Sequence, residues 1–141
     1  MAEKKMRLKI ITPEKVKVDE DVRMVVMRAT TGDMGVLPGH MPYSAVLDYG
    51  VLRIIDGETE RKIAVYGGLA VTQNSVLTIL TSDAEWPEEI DLARANLDRE
   101  HAQQRLREKL DDMEIQHDEI LLRRALVRIE INLTSLADPE E

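Results

Sequence analysis

The 141-residue chain contains no cysteine and no phenylalanine, one tryptophan and three tyrosines. Without cysteine, neither a disulfide framework nor a thiolate metal site can form. With so few aromatic rings the core must be aliphatic, built from Val, Ile, Leu, Met and Ala. An excess of positive charge is missing as well. The formal net charge is −8, which argues against a surface that holds nucleic acid or anionic lipid by electrostatics. No apolar run approaches the roughly 18–20 residues that span a bilayer, so no membrane insertion is expected. Met1 to Met6 lead into neither an apolar signal core nor an Arg/Ser-rich transit segment, and the expectation is a cytoplasmic chain.

The usual catalytic constellations are absent too. There is no Gly-Lys-Ser/Thr of a P-loop, and His101 and His117 lack the i, i+4 partner of a helical zinc site. His40 has no nucleophile or paired carboxylate at a recognisable spacing. The expectation is no catalytic residue and no metal, with His40 in a structural or interface role and the other two histidines solvated.

Glycine is present but confined: all seven lie before residue 69. Beyond Ala84 the vocabulary changes to Glu, Arg, Leu, Ala, Gln and Asp, which favour helix. Charge divides at the same place, with net −1 over residues 1–86 and net −7 over 87–141. The reading is an α+β chain in two parts. Residues 1–86 form an all-β sandwich, 87–135 a helical hairpin and 136–141 a frayed tail.

The β part is organised around Thr30–Pro42, which holds three glycines and two prolines. Gly32 and Gly35 permit sharp reversals, and Pro38 and Pro42 push Leu37 and Met41 towards extended backbone. The stretch suits a short strand between tight turns with its apolar side chains buried, and it excludes a helix. Met6-Arg7-Leu8-Lys9-Ile10 and Lys15-Val16-Lys17-Val18 alternate at period two. Further strands are expected over Val22–Ala29, Ala45–Leu47, Gly50–Ile55, Arg61–Tyr66, Leu69–Thr72 and Ser75–Leu80. Asp56-Gly57 marks a hairpin, and Gly67-Gly68 reads as a break. About ten short strands with frequent turns make a sandwich or flattened barrel.

In the helical part, Pro87 suits a first helical turn and Glu88, Glu89 and Asp91 suit the positive end of the macrodipole. One helix is predicted over Ile90–Leu110, with Ala93, Leu97, Leu106 and Leu110 as the larger beads of one face and Ala95 and Ala102 permitting close approach. Asp111-Asp112 would reverse the chain. Ile115, Leu122, Ala125, Leu126, Ile129 and Leu133 would be the apolar stripe of a second, antiparallel helix.

Gly32-Asp33-Met34-Gly35-Val36-Leu37-Pro38-Gly39-His40-Met41-Pro42, the early Thr12-Pro13, the Gly67-Gly68 pair and the terminal helices together resemble the ε subunits of bacterial F-type ATP synthases. The resemblance runs from about Met6 to Leu133. It implies a non-catalytic rotor role at the cytoplasmic face of the bacterial membrane, peripheral to it. The β-domain would pack on the γ subunit and the c-ring and help couple ion translocation to ATP synthesis. The hairpin would either fold or extend into the α/β catalytic ring and oppose ATP hydrolysis.

A narrower likeness lies at the junction. Ile90-Asp91-Leu92-Ala93-Arg94-Ala95 fits the Ile/Leu-Asp-x-x-Arg-Ala motif of ε subunits that bind ATP as a regulatory ligand. By motif position Glu85, Ile90, Asp91, Arg94 and Ala95 would surround the nucleotide, joined by Arg124 and Arg128 of the second helix. Those two arginines, at i and i+4, share a face, and guanidinium groups fork onto phosphate oxygens. Position 101 is His where such relatives often place an Arg. Two plainer readings stand beside this one. Asp91 and Arg94 would form a surface ion pair worth about 0.2–0.5 kcal/mol, and Arg123, Arg124 and Arg128 would grip acidic loops of a partner. The rival to a rotor subunit is a free-standing ligand-sensing adaptor with a sandwich and a helical hook.

Overall fold

A computed structural model describes residues 4–108 and 111–137, with side chains as far as 134. The chain divides after Glu85 into two compact units. The first contains strands β1 (Met6–Ile11), β2 (Val16–Val22), β3 (Met24–Ala29), β4 (Gly32–Val36), β5 (Tyr43–Asp56), β6 (Thr59–Gln73), β7 (Val76–Leu80) and β8 (Ala84–Glu85). They form one continuous sheet in the order β2-β1-β7-β6-β5-β3-β4, with β8 added alongside β6. All neighbours are antiparallel except β1 and β7.

The sheet folds over on itself to make the sandwich. Glu20 on β2 pairs with Arg61 on β6, although β2 stands three places from β6 in the strand order. A flat sheet would hold strands three places apart at roughly 14 Å, because neighbouring strands are spaced about 4.8 Å. The period-two pattern then places alternate side chains inside. Leu8 and Ile10 of β1, Val25 of β3, Leu52 and Ile54 of β5, Ile63 of β6 and Leu77 and Ile79 of β7 are all at most 2% exposed. The core is aliphatic, as the composition requires, and Tyr66 is the single fully buried ring among the described residues. Each such side chain contributes about 1.5–3 kcal/mol by leaving water.

The strand count is eight, close to the ten expected: two glycine positions lie inside strands rather than between them, and the short β8 is an addition. Gly50 lies inside β5 and Gly67-Gly68 inside β6, and the β5–β6 register is the same on both sides of the bend. The bend lets one long strand serve two neighbours. The first half of β6 pairs with β8 through Ala64 and Val65, and the second half pairs with β7 from Leu69 onward.

The Thr30–Pro42 stretch does supply a short strand, β4, but only Val36 of its apolar residues is sealed in the core. Leu37 and Met41 are 54% and 79% exposed. Alternation stops at Val36, and Pro38 and Gly39 carry the chain off the sheet in a turn closed by His40 N–H to the Leu37 carbonyl, 3.1 Å. The His40 ring is held there by Nδ1–H donating to the Met41 carbonyl at 2.8 Å, edge-on to Tyr43.

The second unit differs from expectation at both ends of its first helix. Pro87–Glu89 make a separate 3₁₀ turn, which the Glu89 carboxylate closes by accepting from Trp86 N–H at 2.8 Å. Ile90 and Asp91 are extended, so helix α1 begins at Leu92 and ends at Leu106. Helix α2 spans Asp112–Ala137. Leu136 and Ala137, expected in the frayed tail 136–141, belong to α2, and Leu110 and residues 138–141 lie outside the described residues.

Ala95 and Ala102 are the buried positions of α1, 1% and 3% exposed, with Leu92 and Leu106 half-buried, whereas Ala93 is exposed and Leu97 is 50% exposed. Two alanines seven residues apart let α2 approach closely, and Leu97 points away. On α2 the predicted stripe keeps Ala125 buried and Ile115, Leu122 and Ile129 half-buried. Leu126 and Leu133 are exposed, and Val127 and Ile131 are buried instead.

Candidate functional site

The two helices line a half-open cavity of about 390 Å³. Arg94, Asp98, His101, Ala102 and Arg105 line it from α1, and His117, Asp118, Leu121, Arg124 and Arg128 line it from α2. These positions recur three and four apart on each helix, so each set occupies one face. The helical part of the sequence carries net −7, yet four of its eight basic side chains converge here.

Three of the seven residues expected around a nucleotide are therefore brought together: Arg94, Arg124 and Arg128. The other four are placed differently. Asp91 is the N-cap of α1, its Oδ1 accepting from Arg94 N–H at 3.1 Å. This contact replaces the expected ion pair, because the Arg94 guanidinium turns one helical turn onward and donates from Nε to Asp98 Oδ1 at 3.1 Å. Ala95 is buried at the start of α1, and Ile90 closes the 3₁₀ turn before it. Glu85 ends β8, where its carboxylate accepts from the buried Tyr66 hydroxyl within the β-domain.

The sequence reading missed the most buried polar group of the site. Asp118 is 1% exposed and accepts from Arg105 Nε through Oδ2 at 3.0 Å. Its other oxygen, Oδ1, is buried and receives no hydrogen bond from any described residue. The Arg105 side chain itself is 55% exposed. Its hydrogen bond to Asp118 raises the guanidinium above its already high ordinary pKa, so the cation is permanent. A signal for Asp118 did exist. Positions 115, 118, 122, 125 and 129 step by three and four, and Asp118 falls inside the apolar stripe of α2. His101 and His117 are exposed, as expected, but both stand on the cavity wall.

Four arginines around a cavity of this size can hold a multiply charged anion, since guanidinium groups bind phosphate oxygens in pairs of parallel hydrogen bonds. Among the described residues there is no group of three His, Asp or Glu suited to a metal ion, and no helix is long and apolar enough to cross a membrane.

Comparison with known proteins gives consistent matches along the chain. Residues 5–87 match the family described as ATP synthase, Delta/Epsilon chain, beta-sandwich domain. Residues 88–131 match ATP synthase, Delta/Epsilon chain, long alpha-helix domain. The ATP synthase epsilon chain of Bacillus velezensis is 40% identical over 129 residues, covering 91% of this chain and 97% of the relative. That of Syntrophobacter fumaroxidans is 41% identical over 131 residues, covering 93% and 97%. A chain in the Euglena gracilis mitochondrial ATP synthase structure (OSCP/F1/c-ring) superposes with a TM-score of 0.78 at 25% identity, covering 95% of this chain and 82% of that one. With both domains matched in order and close bacterial relatives matched almost end to end, the chain belongs to the ATP synthase delta/epsilon family, as an epsilon-type, non-catalytic subunit of the central stalk.

Proposed function

We propose that the helical hairpin is a regulatory element that binds ATP in its folded state, and that release of the hairpin opposes ATP hydrolysis by the assembled enzyme. The observation that carries this reading is the convergence of Arg94, Arg124 and Arg128 on one cavity between the helices. The cavity exists only while α1 and α2 lie side by side. A polyanion held by arginines from both helices therefore stabilises the folded hairpin by RT ln(1 + [L]/Kd), about 2.7 kcal/mol at a hundredfold excess over Kd.

The β-domain would provide the rotor contacts. Ile11, Leu80, Leu69 and Val46 stand in register across four adjacent strands, from β1 through β7 and β6 to β5. Leu80, Leu69 and Val46 are 46%, 39% and 58% exposed. A contiguous apolar row on a sheet surface marks a protein contact, and we assign it to the neighbouring stalk subunits, the γ subunit and the c-ring. The Euglena relative belongs to an assembly that contains F1 and a c-ring, which supports the assignment and disfavours a free-standing adaptor. Coupling of ion flow to synthesis would then pass through this domain at the cytoplasmic face of the membrane.

Calorimetric titration of ATP into the full chain tests the ligand. Saturable binding that is lost in Arg124→Ala/Arg128→Ala supports the site, and undiminished binding in that double variant removes it. A reconstituted ATP synthase whose epsilon chain lacks residues 87–141 should assemble and hydrolyse ATP faster. Unchanged hydrolysis would refute the inhibitory role.

A further inference from the structure

Resting on that reading of the cavity, we infer that Asp118 is the group that distinguishes a nucleotide from a bare polyphosphate, its Oδ1 accepting a hydrogen bond from a hydroxyl or amine of the ligand. The side chain is 1% exposed and lines the cavity, and no described donor reaches Oδ1. Buried carboxylate oxygens are nearly always hydrogen-bonded, because an unmet acceptor keeps its full desolvation cost. Oδ2 is already held by Arg105 at 3.0 Å, which fixes the rotamer and leaves Oδ1 as the acceptor.

The chemistry of the wall selects the ligand class. Arg94, Arg124 and Arg128 supply donors and positive charge, so they want acceptors and negative charge. A carboxylate among them repels phosphate and wants the opposite, a donor. One molecule that satisfies both must be phosphorylated at one end and carry hydroxyl or amine hydrogens at the other. A nucleotide has this polarity, with ribose hydroxyls and a base amine beyond its phosphates. Inorganic tripolyphosphate presents only the anionic end. Leu121 and Ala102 line the same cavity, and these apolar side chains suit a sugar or base rather than a second phosphate.

The test compares ATP with inorganic tripolyphosphate by calorimetry on the full chain, with a chelator present to remove divalent cations. The unmodified chain should prefer ATP by roughly tenfold or more, the value of one hydrogen bond to a charged acceptor. Asp118→Ala should bring that ratio close to one. Ile115→Ala, which loosens the same helix pair away from the cavity wall, should weaken both ligands together and keep the ratio. A ratio that survives in Asp118→Ala, or that falls equally in Ile115→Ala, overturns the inference and reduces Asp118 to a packing role. A preference that appears only when magnesium is restored also overturns it, by assigning the carboxylate to a cation. Should Asp118→Ala fail to fold, the carboxyl-carbon NMR resonance of Asp118 in the unmodified chain decides instead: it should move with ATP and stay in place with tripolyphosphate, and equal movement with both contradicts the assignment. Binding of neither ligand by the unmodified chain removes the ATP reading and this inference with it. Equal binding of both removes this inference alone.

Discussion

Gly68 lies against the carbonyl of Leu80 so closely that a Cβ at this position would stand 2.0 Å from that oxygen. The residue also has φ of +125°, a region that side chains avoid. The bend of β6 depends on both facts, because the second half of the strand must turn to pair with β7. Gly68→Ala is expected to destabilise the β-domain by at least about 3 kcal/mol, combining backbone strain with a clash that only backbone movement can relieve. Gly39 is the control. It too has positive φ, +79°, but nothing lies within 4 Å of the position its Cβ would take. Gly39→Ala should cost only the left-handed conformation, about 1–2 kcal/mol. Urea unfolding followed by circular dichroism would compare the two variants, and equal losses would contradict this account of the bend.

Asp91 caps α1 whether or not it touches a ligand, and this changes how its variants must be read. Asp91→Ala removes the bond to Arg94 N–H and should lower helix stability by about 1 kcal/mol. Weaker ATP binding in that variant would therefore be ambiguous, since a looser helix also displaces Arg94. Asp91→Asn keeps an oxygen that caps equally well. If the capping role is the whole role, Asp91→Asn should melt like the unmodified chain and bind ATP with the same affinity. A fall in affinity at unchanged thermal stability would show that the negative charge itself meets the nucleotide.

The strands were legible where the pattern is local. Alternation in Met6–Ile10 needs only the two-residue period of a pleated strand, and it reappears as Met6, Leu8 and Ile10 buried. Where two strands join into one was not legible, because a glycine that ends a strand and one that lies inside it look alike in sequence. Gly50 and Gly67 are distinguished only by the partner strands on either side of them. The face of α1 misleads for a different reason. Leucine spacing suggests that Leu97 packs, but close helix approach is set by the small residues Ala95 and Ala102, which leave Leu97 outside. At the site, Arg124 and Arg128 were legible through the likeness to ATP-binding ε subunits, and their i, i+4 spacing agrees with a shared helix face. The pairing of Asp118 with Arg105 was not legible, since it crosses between two helices and a single charged residue inside an apolar stripe gives no indication of its partner.

Arg105 and Asp118 bond to each other but are unequally exposed, and their two deletions should therefore differ. Arg105→Ala leaves a buried carboxylate without its cation, the costly way to break a pair. Asp118→Ala leaves a guanidinium that is 55% exposed already and can be taken up by water. The expected outcome is that Arg105→Ala accelerates hydrogen exchange of the α2 backbone around Asp118 more than Asp118→Ala does. The double variant should resemble Asp118→Ala, because removing the carboxylate removes the cause of the penalty. Exchange that is fastest in Asp118→Ala would mean that the carboxylate supports the helices by some other contact.

Leu69 and Val46 face each other across β5 and β6 on the outer side of the sheet, and Leu80 continues the row on β7. Their exposure makes them poor contributors to the fold, so charge there should be tolerated by the isolated chain. Leu69→Asp is expected to change the unfolding free energy by no more than about 0.5–1 kcal/mol, as surface substitutions usually do. Its effect should appear on assembly instead. A carboxylate placed in the middle of a buried apolar contact must be desolvated without a partner, which costs several kcal/mol and weakens association by at least about a hundredfold. Gel filtration with the γ subunit would show co-elution of the unmodified chain and none of Leu69→Asp at micromolar concentrations. Glu58→Lys, at the far end of the β5–β6 hairpin and exposed, alters surface charge without touching the row and should co-elute normally. Retention of the Leu69→Asp variant on γ would place the stalk contact elsewhere on the β-domain, with the exposed Leu37–Tyr43 turn as the next surface to test.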